Sequence, residues 1–184
     1  KEKRNEQPTK QQVLTMQEWI FEFLQKYKKN ELKITTFDSY MGMYRKHIKD
    51  SALGKVKIDK VTTEALQRYY NDKIKIGYSS KTVREIETII NSALNMAVKL
   101  RMISENPNIY TTLPKKVRYE AKVLSREEVN RVIAEAKEEE LYPIIITAVF
   151  TGMRKGEIMA LKWNNVDFQG RKIYVKYSLC RVED

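Results

Sequence analysis

Cysteine and histidine are almost absent: the 184 residues hold one of each, Cys180 and His47. A lone cysteine excludes an internal disulfide and fits a reducing compartment. One histidine and one cysteine, far apart in the chain, do not build a zinc site, and no loop has the spacing of an EF-hand. No apolar run approaches the ~20 residues of a membrane span. The opening KEKRNEQPTKQQ has no hydrophobic stretch and is not read as a secretory signal. Residue 1 is Lys rather than Met, so the chain is expected to be cut from something longer.

Acidic residues are in short supply as well. Against 35 Lys and Arg stand 24 Asp and Glu, a formal net charge of +11. A basic excess of this size favours a polyanionic partner such as nucleic acid or an anionic surface. The competing explanation is a soluble protein with many solvated lysines. At 42% apolar residues the chain has enough to bury a core.

Residues 1–12 are polar and charged and are expected to form a flexible arm or linker. From Val13 to Tyr27 the apolar residues Met16, Trp19, Ile20, Phe23, Leu24 and Tyr27 recur at helical spacing, with Thr15 placed to cap. A second helix is predicted from about Thr35 to Lys49, burying Phe37, Tyr40, Met41, Tyr44 and Ile48. After a connector turning at Gly54, Thr62 or Thr63 starts a third helix, with Glu64 where the helix dipole favours a carboxylate. The fourth is the most regular: Val83, Ile86, Ile90, Ala93, Leu94 and Ala97 form one stripe, with Ser79 or Ser80 as cap. Pro107 then biases Asn106 away from helix.

Residues 13–105 thus read as a compact helical domain. Pro107, Pro114 and the basic run KKVR make 106–122 an extended tether rather than a packed element. A second unit, 123–184, opens with Ser125 and Glu128 in capping-box spacing. A helix to about Glu139 is followed by the apolar run Ile144–Phe150, which is expected to be buried on most sides. A short helix to Trp163 leads into VDFQGRKIYVKYSL, a predicted hairpin with Gln169 and Gly170 in its turn and Ile173, Val175 and Tyr177 on one face.

Between the apolar run and the hairpin lies TGMRKGEIMALKWNNVDF. It resembles the first conserved box of the tyrosine recombinases, the phage and conjugative-transposon integrases, whose pattern is T-G-x-R-x-x-E-[IL]-x-x-L-x-W-x-x-[VI]-D. Thr151, Gly152, Arg154, Glu157, Ile158, Leu161, Trp163, Val166 and Asp167 match it. Residues 35–107 are similar to the core-binding domain of the same integrases. The resemblance implies a mainly α fold: a four-helix core-binding (SAM-like) domain linked to an incomplete α+β catalytic domain that begins with helices and a β-hairpin. It implies site-specific recombination, in which a tyrosine cleaves DNA and holds it as a phosphotyrosyl link. Arg154 would be the first family arginine on the scissile phosphate and Glu157 an accessory acid. An Arg supplies a planar, always-charged fork for phosphate oxygens. The simpler explanation of the pair is a structural contact between Arg154 and Glu157 across a helix start.

The later family elements (a hairpin lysine, the H-x-x-R box and the nucleophilic tyrosine) have no counterpart in these residues. The chain alone is therefore expected to bind DNA without cutting it. Duplex DNA and further protomers assembled on it are the implied partners, with no membrane and no cofactor, in the cytoplasm of a bacterium carrying a mobile element. On the fourth helix Lys81, Arg84, Thr88, Asn91, Asn95 and Lys99 are expected to share a DNA-facing side, where Asn can pair with adenine and Lys or Arg can meet phosphate. On the second helix the candidates are Thr36, Ser39, Tyr40 and Lys46. His47 matches a family position, but a lone histidine near a helix end reads as structural. The alternative class is a non-catalytic helical DNA-binding module or regulator, which has no use for Thr-Gly, Arg154 and Glu157 at the end of an apolar helix.

Overall fold

The computed structural model describes residues 13–117 and 120–181, so the arm expected over 1–12 lies outside the described residues. The chain divides into two compact units, Lys1–Arg118 and Tyr119–Asp184.

In the first unit α1, Met16–Phe23, starts on a reciprocal cap: the Thr15 hydroxyl accepts from the Glu18 N–H, and the Glu18 carboxylate accepts from the Thr15 N–H at 2.8 Å. Met16, Trp19, Ile20 and Phe23 are buried along one stripe. Helix α2 spans Ile34–Met43. Both helices end in a widened turn, Lys29 N–H reaching Leu24 O and Lys49 N–H reaching Tyr44 O, five residues back in each case. The second of these turns carries Tyr44, His47 and Ile48 into the core. Phe37, Tyr40 and Met41, expected to be buried, are only half-covered at the core's margin.

Thr62 caps α3, Thr63–Lys75, and Ser79 caps α4, Ser80–Lys99. The apolar stripe of α4 is wider than its sequence spacing suggests, because Ile89 joins Val83, Ile86, Ile90, Ala93, Leu94 and Ala97 in the core. Helix α4 packs against α1, α2 and α3. The indole N–H of Trp19 donates to the Ala93 carbonyl at 2.9 Å, so the one polar atom of that buried ring is satisfied.

Residues 106–114 are not an extended tether. Asn106 opens a short turn, Pro107–Tyr110, and donates from Nδ2 to the side-chain oxygens of both Asn91 and Asn95, at 2.7 and 2.8 Å. Asn108 donates to Glu87 and accepts from the Tyr70 hydroxyl, both at 2.7 Å. Gln67 pairs both ways with the Thr112 backbone, Thr63 donates to the Pro107 carbonyl, and the Arg84 guanidinium donates twice to the Pro114 carbonyl. Polar side chains of α3 and α4 thus supply the partners that a packed, non-helical backbone requires. Asn106 is extended before Pro107 as expected, the proline opens a single 3-10 turn, and the asparagines on either side of it dock the segment onto α4 and α3.

The second unit begins with α5, Arg126–Glu135, capped by Ser125 and Glu128 as expected. Helix α6, Tyr142–Thr151, is less covered than its composition suggests. Ile144 to Ala148 are half-buried, Val149 is exposed, and Phe150 is 76% exposed. The described residues around it offer mainly α5 and the short α7, Lys155–Met159, to pack against. The hairpin is also shorter than predicted. Strands β1, Val166–Asp167, and β2, Lys172–Ile173, pair Val166 with Ile173. The Asp167 carboxylate accepts the Gly170 N–H across the turn. Ile173, Val175 and Tyr177 are all exposed, because beyond Ile173 the chain leaves the ladder and crosses α7 instead.

Asn106→Ala removes three hydrogen bonds, leaving two asparagine oxygens without their donor and the buried Asn108 N–H without its acceptor. It should destabilise the first unit by ~1–3 kcal/mol in urea unfolding and speed amide exchange at Thr111 and Thr112. Wild-type exchange at those two amides would contradict the docking.

Candidate functional site

The second unit presents its charged box through a sharp change of backbone hand. Helix α6 stops at Gly152, which has φ +66° and donates its N–H to the Ala148 carbonyl. Nothing lies within 4 Å of where a Cβ would stand, so the glycine is required by conformation and not by space. Met153 then turns inward and is buried, while Arg154 turns outward. The Met153 N–H is held by the Thr151 hydroxyl at 3.2 Å.

Arg154 is the residue that starts α7. Its backbone N–H donates to Glu157 Oε2 at 2.8 Å, and its Nη1 donates to Glu157 Oε1 at 3.1 Å. The arginine side chain is 87% exposed and the Glu157 side chain 19%. One edge of the guanidinium is therefore steadied and the rest of the fork faces solvent. The backbone N–H of Arg154, and secondarily its side chain, hold the Glu157 carboxyl below the usual carboxylate range. Both contacts are real, so the structural pairing anticipated for these residues exists. An ion pair this exposed contributes only ~0–1 kcal/mol, too little to account for the arginine by itself.

A residue that sequence reasoning missed stands between them. A Cβ on Gly156 would lie 2.6 Å from the Leu179 carbonyl and from the Ser178 hydroxyl. The Leu179 N–H donates to the Gly156 carbonyl at 2.8 Å. The chain leaving the hairpin thus crosses the first turn of α7 at a distance only glycine permits. No short-range pattern foretells this, since the partner lies 23 positions away.

In the first unit the expected row on α4 is split by exposure. Lys81, Thr88, Asn95 and Lys99 are exposed, with Ser92 beside them half-buried. Arg84 and Asn91 are half-buried on the side where residues 106–114 dock, and their polar groups hold that segment. Asn95 is exposed, yet its side-chain oxygen is also engaged by Asn106. The row lies on one side of α4, but the docked segment packs along its edge and engages Arg84, Asn91 and Asn95. From α2, Ser39 and Lys46 are exposed, and Thr36 and Tyr40 are half-buried. Ser39, Tyr40 and Met43 line a shallow cleft of about 130 Å³ with Glu85, Thr88 and Ile89. Candidates of the two helices therefore do meet. Glu85, which no sequence pattern singles out, also lies there and is paired with Lys81 at 3.9 Å. His47 is buried, its ring edge-on to Tyr78 at 4.8 Å, as a structural histidine would be.

Two family models match this chain: the phage integrase N-terminal SAM-like domain over residues 15–74, and the phage integrase family over residues 122–182. The chain belongs to the phage integrase family of tyrosine recombinases. A tyrosine recombinase XerC-like protein of Caldanaerobacter subterraneus is 31% identical over 173 residues, covering 91% of this chain and 43% of the relative. The Tn1549 transposon integrase, solved with circular intermediate DNA, superposes with a TM-score of 0.76 at 19% identity over 91% of this chain and 56% of that one. Lambda integrase, solved as a dimer on a core site, gives 0.74 at 20% identity over 84% of this chain and 43% of that one. These structural likenesses carry the fold, mainly helical with a small antiparallel hairpin. The chain spans less than half the length of the curated relatives it matches.

In this integrase chain the Glu157 contacts should be visible in the pH dependence of stability. Its folded pKa is depressed, so the contribution is fully present above the unfolded value, about 4.3, and is lost as pH falls through the folded one. Carboxyl NMR should find Glu157 titrating below the ordinary glutamate range. Glu157→Gln should flatten the acid limb of the melting curve; an ordinary glutamate titration would contradict the geometry.

Proposed function

We propose that the full-length protein carries out site-specific DNA recombination or integration, cleaving and rejoining strands through a phosphotyrosine. Arg154 is its first phosphate-binding arginine. The observation that carries this reading is the presentation of Arg154: a left-handed turn at Gly152 delivers it, Glu157 steadies one edge, and the remaining donors are free toward solvent. Attack on a phosphodiester builds extra negative charge on the phosphate oxygens. Donors already aimed at that charge are usually the largest single catalytic contribution. Glu157 acts through Arg154, as a positioning residue. The family membership and the integrase relatives support the same reading.

The first unit grips the duplex in this account. Lys81, Thr88, Asn95 and Lys99 of α4, with Ser39, Tyr40 and Lys46 of α2, form the surface toward DNA. Thr36 lies at its margin. Arg84 and Asn91 serve it indirectly, by fixing residues 106–114. The domain boundary falls in the stretch after Pro114, with 123–184 as the catalytic portion. Assembly of several protomers on DNA in the bacterial cytoplasm follows from the same proposal. The 184-residue chain binds without cleaving, since the nucleophile and the later phosphate ligands have no counterpart in it.

Binding of the chain to duplex DNA should weaken steeply with salt. If ~6 phosphates are neutralised, affinity falls roughly a thousandfold between about 50 and 200 mM salt. The full-length protein, given a nicked duplex bearing its site, should form an adduct that survives detergent and is destroyed by protease. A flat salt slope would remove the DNA grip, and the absence of any adduct would remove the recombinase reading.

A further inference from the structure

We propose that Lys46, Lys73 and Tyr78, gathered around the buried His47, seat a phosphate of the DNA backbone. This rests on the DNA-binding reading above and adds a site on the first unit that the α4 row does not include. The widened turn ending α2 brings Lys46 and His47 against the end of α3 and the turn into α4. Lys46 Nζ lies 5.9 Å from the Tyr78 ring centroid, and Lys73 Nζ lies 5.6 Å from the same ring and 5.0 Å from that of Tyr69. Two ammonium groups thus lie within 6 Å of one ring centroid, and among the described residues neither is paired with a carboxylate. Nearby lysines differ: Lys75 is paired with Asp72 and Lys81 with Glu85.

The corner is built as well as charged. The Tyr69 hydroxyl donates to the His47 carbonyl at 2.5 Å, which fixes the end of α2 against α3. His47 is 3% exposed, and its Nδ1 has no hydrogen-bond partner. Burial first, then Lys73 and Lys46, disfavour the protonated ring. A phosphate held by these ammonium groups would offset their effect on the histidine. The place also suits a backbone contact. Tyr78 immediately precedes Ser79, the cap of α4, so the corner lies at the end of α4 from which its exposed row begins. A lysine meets phosphate as a compact charge with three donors, suited to holding the duplex and not to reading it.

The test uses the 184-residue chain and duplex DNA at several salt concentrations. Lys46→Gln and Lys73→Gln should each lower the slope of log K against log salt by about 0.9, equally on a preferred and a random sequence. Lys73→Arg should restore the slope, which a packing defect would not allow, and Lys29→Gln serves as the exposed-lysine control. His47 is the sole histidine, so its ring resonances are unambiguous. DNA should raise its pKa in the wild type and leave it unmoved in the Lys46→Gln/Lys73→Gln double variant. Wild-type slopes in both single variants, with a His47 titration unmoved by DNA, would overturn this corner while leaving the DNA grip intact. No duplex binding by the unsubstituted chain at any salt would overturn both.

Discussion

Burial of the α4 stripe is the constraint on which the first unit depends. Each large apolar side chain taken fully out of water contributes ~1.5–3 kcal/mol, and α4 inserts Val83, Ile86, Ile89, Ile90 and Leu94 into one core. Exposed ion pairs on the same helix contribute ~0–1 kcal/mol each, so the stripe decides how α4 is rotated. The roles of its other residues depend on that rotation. One flank holds the segment after Pro107, and the remaining side is left to solvent with lysines near both ends. The polar residues of α4 therefore divide between architecture and display according to their angle from the stripe.

The second unit relies on backbone geometry more than on burial. Its apolar helix α6 is half-covered, but the turn after it has two glycines with different duties. Gly152 supplies a left-handed conformation, and Gly156 supplies room for the chain that crosses α7. Between them Met153 points inward and Arg154 outward, so a buried anchor and an exposed guanidinium sit on adjacent residues.

Much of this is legible in the sequence because it is local. Thr15, Thr62, Ser79 and Ser125 each cap the helix that their spacing indicates, and the period of α4 shows its buried face. Gly152 and Arg154 are readable because the box is contiguous. What escapes is non-local. The docking of 106–114 depends on Asn91 and Asn95 finding Asn106, and a single chain offers no signal for such a pairing beyond asparagines beside a proline. Alternation overestimates the hairpin because it cannot say whether a second strand is available; here the Leu179 backbone pairs with Gly156 instead. The α4 row reads as one exposed face because a helical projection shows angles but not what packs at them.

The central claim is that Arg154 acts on the scissile phosphate and is not merely a structural partner of Glu157. Arg154→Lys in the full-length protein tests it most directly, because it keeps the charge and removes the fork. Melting temperature, DNA affinity and covalent adduct on a nicked site should be measured together. The account predicts near-normal melting and binding, with adduct formation slower by ~100-fold or more, as for loss of a preorganised oxyanion donor. Lowered stability with an undiminished rate of adduct formation would contradict it.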